Sequence, residues 1–429
     1  MTYENIDFTR GYVRRTVDAD LDDLFPQLPA ILLDGPKGVG KTRTASERAV
    51  TIRRLDVASQ RAILEADPMV IAGDPPPLLI DEWQRVPESL DAVRQLVDTN
   101  PGGQRVLLTG SAIPPRGTHS GAGRITTMRV RPLALHERIR WAGGISLAAL
   151  LEGDDEVGGR TDVMLRDYIE EIVTGGFPGM RSLSGRALAM QLDSYLDRIA
   201  DHDLPELGLN VRHPPLVRSW LRAYAAAIST TTSFEKVRVA ATADVGGAPA
   251  KTTVMPYVEL LTQMRVLDPV PAWQPSHNHL STLTIAPKHH LADPALAARL
   301  VRLSASKLVA GQDPTVPIPR DGTYLGALFE SLATLSIRVA AQASDARVYH
   351  LRDRGGRHEV DLIVEGDDGV VAFEVKLSST VRTADVRHLA WLRDRIGADF
   401  VAGVVITAGP EAYRRPDGFL VVPLALLGP

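Results

Sequence analysis

The chain has 429 residues, with 48 basic against 52 acidic side chains, no cysteine and a hydrophobic fraction of 44%. That length predicts about three domains, and that apolar content excludes wholesale disorder. The missing cysteines exclude a disulfide framework, a thiolate metal site and a thiol nucleophile; the net charge of −4 excludes a uniformly basic nucleic-acid coat, so any nucleic-acid surface must be a local patch.

The first fifteen residues mix charges and lack an apolar core, which argues against a secretory signal. No run approaches 18 consecutive apolar residues, so no membrane span is expected, and the absence of cysteine fits the expected cytoplasmic location. Only seven of the basic residues are lysine, which makes each lysine inside a motif more informative.

A short apolar run, Ala30 to Leu33, enters a glycine-rich loop that is followed by a polar helical stretch from Lys41. The loop, Gly35-Pro36-Lys37-Gly38-Val39-Gly40-Lys41-Thr42, matches the P-loop pattern GxxxxGK[ST]. Glycines at these positions let successive backbone N–H groups point inward at phosphate oxygens, and the following helix adds its N-terminal dipole. In such a loop Lys41 reaches the β and γ phosphates of ATP, and the Thr42 hydroxyl ligates Mg²⁺.

A second apolar run, Leu78 to Ile80, ends in Asp81-Glu82. An aspartate at a strand tip beside the P-loop holds Mg²⁺, and the next carboxylate can activate the attacking water. A third run, Val106 to Leu108, leads to Thr109-Gly110-Ser111, whose hydroxyls would reach the same crevice to sense the γ-phosphate or position water. Arg124 is a candidate arginine finger, in cis or from a neighbouring subunit. Strands alternating with helical stretches predict an α/β core with a parallel sheet, ending near Arg140.

Residues 147–203 read as helical, broken by Gly175-Gly176-Phe177-Pro178-Gly179. Residues 206–275 read as helical again, with a helix predicted over Thr252 to Arg265 and a strand or wing over Asp268 to Trp273. Residues 306–325 read as a linker, and a helix is expected from Leu325 to Ala341.

Beyond it, Glu359 to Glu365 and Ala372 to Leu377 alternate polar and apolar around Gly366-Asp367-Asp368-Gly369, a good hairpin turn. A turn centred between Asp367 and Asp368 sets Asp361 opposite Glu374, with Lys376 on the same face. Val360, Leu362 and Val364 are expected on the other, core face with Phe373, Val375 and Leu377. Two opposed carboxylates call for a cation, or for one of them to hold its proton; the reading assigns Mg²⁺ or Mn²⁺ there, with Glu330 of the preceding helix as a third carboxylate and Lys376 positioning or deprotonating water.

Taken together, the P-loop, Ile80-Asp81-Glu82-Trp83-Gln84, Leu108-Thr109-Gly110-Ser111, Gly123-Arg124 before Pro132-Leu133, and Gly175-Gly176-Phe177-Pro178 resemble an uncharacterised class of prokaryotic AAA-type ATPases. The resemblance spans nearly the whole chain. It implies a P-loop core (1–140), a helical lid (141–205), a winged-helix-like segment (206–305) and a C-terminal PD-(D/E)xK restriction-endonuclease-like domain (320–429), matched here by Glu330, Asp361, Glu374 and Lys376. Val360 replaces the proline usual before the aspartate. The implied activity is Mg²⁺-dependent ATP hydrolysis driving a conformational switch that acts on, or is regulated by, DNA or RNA. The alternatives are an ATP-gated nuclease and a nucleotide-latched interaction protein. A homo-oligomer is compatible with each. Lys251, Thr252, Thr253 and Arg265 are the candidate duplex contacts of the winged segment.

Overall fold

The computed structural model describes residues 6, 11–100, 103, 105–110, 123–139, 144–209, 214–241, 251–274, 285–310, 322–353 and 355–429, the side chains of 251–253 and 322–323 excepted. Ser111 lies outside these residues.

After α1 (Thr16–Leu24), the chain alternates β1 (Ala30–Asp34), α2 (Lys41–Ser46), β2 (Thr51–Arg54), α3 (Ala58–Ala66), β3 (Leu78–Asp81), α4 (Glu88–Thr99), β4 (Val106–Thr109) and β5 (Thr126–Arg129). The five strands form one parallel sheet in the order β2-β3-β4-β1-β5. Side chains alternate across it, and both faces are apolar. Ile31, Leu33, Leu79 and Leu107 enter one core, while Ala30, Leu78, Ile80, Val106 and Leu108 enter another beneath Leu90, Val93 and Leu96 of α4. A strand covered on both sides must read as a continuous apolar run, and β1, β3 and β4 do.

The chain then passes through α5 (Leu135–Arg138), β6 (Ile145–Ser146), α6 (Leu147–Leu151), β7 (Gly159–Arg160), α7 (Leu165–Thr174) and α8 (Gly185–Arg198). A π-helical turn at Ile199–Asp203 leads into α9 (Leu204–Glu206), α10 (Pro214–Ala226), α11 (Phe234–Ala240) and α12 (Lys251–Gln263). The break after α7 is anchored from three sides. Arg138 is wholly buried and reaches Asp293 at 3.0 Å, Asp293 also accepts from the Gly176 amide at 2.7 Å, and the Leu133 amide donates to Gly176 O at 2.8 Å.

The expected wing joins the C-terminal sheet. Leu267 and Val270 bridge antiparallel to Leu291 and Lys288, and β8 (Ala272–Trp273) runs parallel to β9 (Arg347–Arg352). Between them lie α13 (Pro294–Leu300), α14 (Ala305–Ala310) and α15 (Gly322–Ala343), so helix occupies both ends of the expected linker. Helix α15 is 22 residues long and its most apolar window is 67% buried inside the fold, as the central helix of a core. It continues into β10 (Glu359–Gly366), β11 (Gly369–Lys376), α16 (Arg387–Ile396), β12 (Phe400–Thr407), β13 (Glu411–Arg414), β14 (Leu420–Pro423) and β15 (Leu427–Gly428).

The second sheet is mixed and eight-stranded, in the order β7-β13-β14-β12-β11-β10-β9-β8. The hairpin register is Leu362 opposite Phe373 and Gly366 opposite Gly369, which continues to Asp361 opposite Glu374. One expectation is corrected. The register against β9 shifts between Val360 and Ile363, and this irregularity turns Val360 away from Leu362 and Val364 into the layer beneath α16. Both faces of the hairpin are therefore covered, and Glu374 is only 4% exposed.

Candidate functional sites

The P-loop leaves β1 at the carboxyl edge of the first sheet. A Cβ on Gly35 would lie 2.0 Å from the Val130 carbonyl oxygen, so only glycine lets the loop turn beside β5. Gly40, at φ 93°, caps α2 in the left-handed region and aims the first helical amides into the loop. Arg15 braces the outside, donating to Val39 O at 2.7 Å and Arg131 O at 2.6 Å.

The Lys41 ammonium fills the loop, donating to Gly35 O at 2.6 Å and Pro36 O at 2.9 Å. Burial pulls its pKa from 10.5 down to about 8, against the opposing pull of Glu82 and Asp34. Lys37 points outward, its Nζ 2.6 Å from Asp203 and 3.5 Å from Glu206, and so ties the loop to the π-helical turn.

Because β4 lies between β1 and β3, its tip stands between the P-loop and the acidic pair. Asp81 Oδ1 accepts from Thr42 Oγ1 at 2.7 Å and from Thr109 Oγ1 at 2.5 Å. Thr42 and Asp81 thus present two hard oxygens at hydrogen-bond separation, a donor set that fits Mg²⁺. Glu82 takes a left-handed conformation, φ 60°, a strained position for a non-glycine residue, and Gln84 Nε2 holds its carboxylate at 2.5 Å.

Arg124 stands elsewhere. It precedes the amino end of β5, paired with Asp98 at 2.6 Å, whereas the opposite end of that strand, Arg129, abuts Asp34. At ~3.3 Å per residue it lies roughly 15 Å along the strand from the phosphate edge, which removes the cis version of the finger.

The root of the P-loop continues into an arginine–aspartate network. Asp34 pairs with Arg265 at 2.7 Å and Arg129 at 3.4 Å, while Asp268 pairs with Arg131 at 3.1 Å, Arg338 at 3.2 Å and Arg129 at 3.5 Å. Arg265, named above as a duplex contact, is engaged here. Burial opposes the Asp268 charge, but Arg338, Arg131 and Arg129 hold it below the usual carboxylate range. Gln342 of α15 adds a bond to Arg129 O at 3.0 Å. Sequence reasoning missed this junction because its members are scattered over 34–342.

In the C-terminal domain Glu330, Asp361, Glu374 and Lys376 do converge, but a residue absent from the sequence reading sits among them. Lys288, 1% exposed in its side chain, places Nζ 2.9 Å from Glu330, 3.0 Å from Asp361 and 3.8 Å from Glu359. Burial opposes its charge, yet Glu330 and Asp361 outweigh burial and hold it above the ordinary lysine range. The second Asp361 oxygen accepts from the Val375 amide at 2.9 Å.

Glu374 accepts from Lys376 at 3.0 Å through one oxygen, and burial followed by Asp361 pushes its pKa well above the ordinary carboxylate value. Burial and Asp361 also lift Glu330 to about 8 against the pull of Lys288. The Lys288 ammonium thus bridges Glu330 and Asp361, whereas the sequence reading set a metal between Asp361 and Glu374. Among the described residues no group of three or more His, Asp or Glu side chains is arranged to hold a metal ion.

Three family models match this chain. Residues 27–139 match an AAA domain, 165–307 a domain of unknown function (DUF8612) and 325–427 another domain of unknown function (DUF4143). An uncharacterized protein of Mycobacterium tuberculosis and one of Mycobacterium bovis are each 26% identical over 377 residues, which is 86% of this chain and 74% of theirs. A Walker-type ATPase of Pyrococcus abyssi is 16% identical at a TM-score of 0.40, over 67% of this chain and 95% of that one. The AAA match and the loop geometry make the first sheet a P-loop AAA-type core, and they support ATP binding and hydrolysis.

Proposed function

We propose that the chain is a Mg²⁺-dependent ATP hydrolase whose nucleotide state repositions the C-terminal domain. The observation that carries this is the continuity between the P-loop and α15. Asp34, the residue before Gly35, meets Arg265 and Arg129, and Arg129 shares Asp268 with Arg338 of α15.

Thr42 and Asp81 would hold Mg²⁺, which supplies neutralising charge at the phosphates. Lys41 exchanges two carbonyl acceptors for phosphate oxygens and regains full protonation beside them. Thr109, on Asp81 now, is placed to sense the loss of the γ-phosphate. Glu82, steadied by Gln84, takes the proton of the attacking water. The cavity of about 230 Å³ beside Gly38, walled by Phe177, Met180 and Tyr195, is the apolar room in which we place the nucleobase. Lys37 then reports occupancy to the helices behind Asp203.

Hydrogen exchange over α15 and residues 266–274 should differ between ATP and ADP in wild type and not in Lys41→Ala. Identical protection in both nucleotide states would leave an ATPase without the switch. A nucleic-acid regulator is the expected partner class by resemblance, and stimulation of phosphate release by DNA or RNA tests it. The nuclease alternative has the Lys288 ammonium against it, since that group holds the oxygens a metal would need.

A further inference from the structure

A cavity of about 470 Å³ opens where the first sheet meets α15 and β9. Arg129, Arg131, Arg338 and Arg347 line it, with Asp345 as the acid in its wall. Behind that wall stand Asp34, Asp268 and Arg265, and Gln342 of the lining reaches Asp20 at 3.5 Å. Five guanidiniums against four carboxylates leave a formal excess of one positive charge in one partly buried junction.

A network that serves only to join domains has no need of that excess, because unbalanced buried charge costs free energy. Arg129 bears the imbalance most plainly. Its two ion pairs are long, 3.4 and 3.5 Å, and its Nε is buried without a hydrogen-bond partner. Burial, with neighbouring arginines adding to it, pulls Arg129 down to about 10 and Arg338 down to about 9. Guanidinium groups ordinarily stay charged at any accessible pH, so these two stay charged although burial works against them, with Asp268 the main opposing pull.

We propose that this cavity binds a small phosphate-bearing ligand, with Arg129, Arg131 and Arg338 contacting its oxyanions. Planar guanidinium forks match phosphate oxygens in pairs. The volume lies within the range of small-molecule sites, about 300–1,000 Å³, and exceeds the need of a lone ion. A nucleic-acid duplex calls for charges spread along a track, whereas these converge on one hollow. The ligand would touch the ATPase core through Arg129 and Arg131 and the C-terminal domain through Arg338, and so would fasten one to the other. This site adjoins the root of the P-loop through Arg129 and Asp34, but binding there does not depend on ATP hydrolysis.

Inorganic pyrophosphate is the probe, and Lys41→Ala or Lys41→Met protein, checked for folding by circular dichroism, is the host in which the P-loop does not compete. Calorimetry should give one site per chain, and adding Arg131→Gln or Arg338→Gln should weaken it about tenfold or more, the worth of a charge-assisted bond. A second readout separates a ligand site from a structural brace. Arg129→Lys, which keeps the charge for Asp34 and Asp268 but loses the planar fork, should leave the ligand-free melting temperature near that of the host while weakening stabilisation by pyrophosphate.

The proposal is overturned if pyrophosphate does not bind the host, if binding survives loss of Arg131 and Arg338, or if pyrophosphate stabilises Arg129→Lys protein as much as the host. Capture of an oligonucleotide more tightly than pyrophosphate through the same arginines would replace it with a nucleic-acid surface.

Discussion

Replacing Lys288 by Met keeps most of the stem's volume and removes only the charge. Its ammonium is within 3.0 Å of both Glu330 and Asp361, and 3.8 Å of Glu359, so three carboxylates lose a shared counter-ion. Breaking a buried pair by deleting one partner costs about 3–5 kcal/mol. The carboxylates can relieve part of that by taking up protons, which makes the loss depend on pH. Glu330, ordinarily near 4.5, already sits at about 8 in the fold. Between those values the folded state holds a proton that the unfolded state has released, so stability falls as pH rises. Without the pull of Lys288 the folded pKa climbs further, and the fall continues above pH 8. Lys288→Met should therefore be closest to wild type near pH 5.5 and furthest from it at pH 8 or above. Urea unfolding with pulsed hydrogen exchange reads the C-terminal sheet separately from the ATPase core. Millimolar Mn²⁺ should then stabilise the variant at pH 8, through the liberated oxygens, and not the wild type. A variant as stable as wild type at both pH values refutes the argument. So does Mn²⁺ stabilisation of wild type that Asp361→Asn removes.

Lys41→Ala should weaken ATP binding by calorimetry. In wild type, ATP binding above pH 8 should take up a proton, because Lys41 at about 8 in the empty loop must charge beside phosphate; affinity should fall as pH rises from 8 to 10, and equal heats in buffers of different ionisation enthalpy would count against it. Glu82→Gln should retain ATP and lose about 10²-fold or more in turnover, and unchanged phosphate release would move the base elsewhere. Arg124→Ala should lose ATPase activity and regain some when mixed with excess Glu82→Gln subunits. A monomer by light scattering, with and without ATP, sinks any finger role for Arg124, since the cis route is already too long. Lys37→Ala should leave ATP affinity nearly intact but uncouple protection of residues 199–206 from nucleotide.

The parts legible in sequence were those that short-range chemistry dictates. The P-loop announces itself because its phosphate cradle needs a fixed spacing, and β1, β3 and β4 because central strands are apolar on both faces. Strands β2 and β5, Thr51-Ile52-Arg53-Arg54 and Thr126-Thr127-Met128-Arg129, were not seen. They are the two edges of the sheet, so half their side chains face water and the apolar run vanishes. The β10–β11 register followed from the turn alone, whereas the burial of Glu374 did not, because β12 and α16 cover that strand from later in the chain. Lys288 was hidden for the same reason: it lies 42 residues from Glu330 and 73 from Asp361, and no local pattern marks it.

The pairing of β6 with β15 and of β7 with β13 has a consequence for biosynthesis. Ile145 meets Leu427, and Arg160 meets Glu411, so each early strand waits for a partner made about 250 to 280 residues later. At ~5–20 residues per second that wait is on the order of 10–60 s. Throughout it the parallel sheet can already be complete, since all its strands precede β6. The nascent chain can thus carry its complete parallel sheet before its closing strands exist, and a chain cut short before β13 would carry the one without the other.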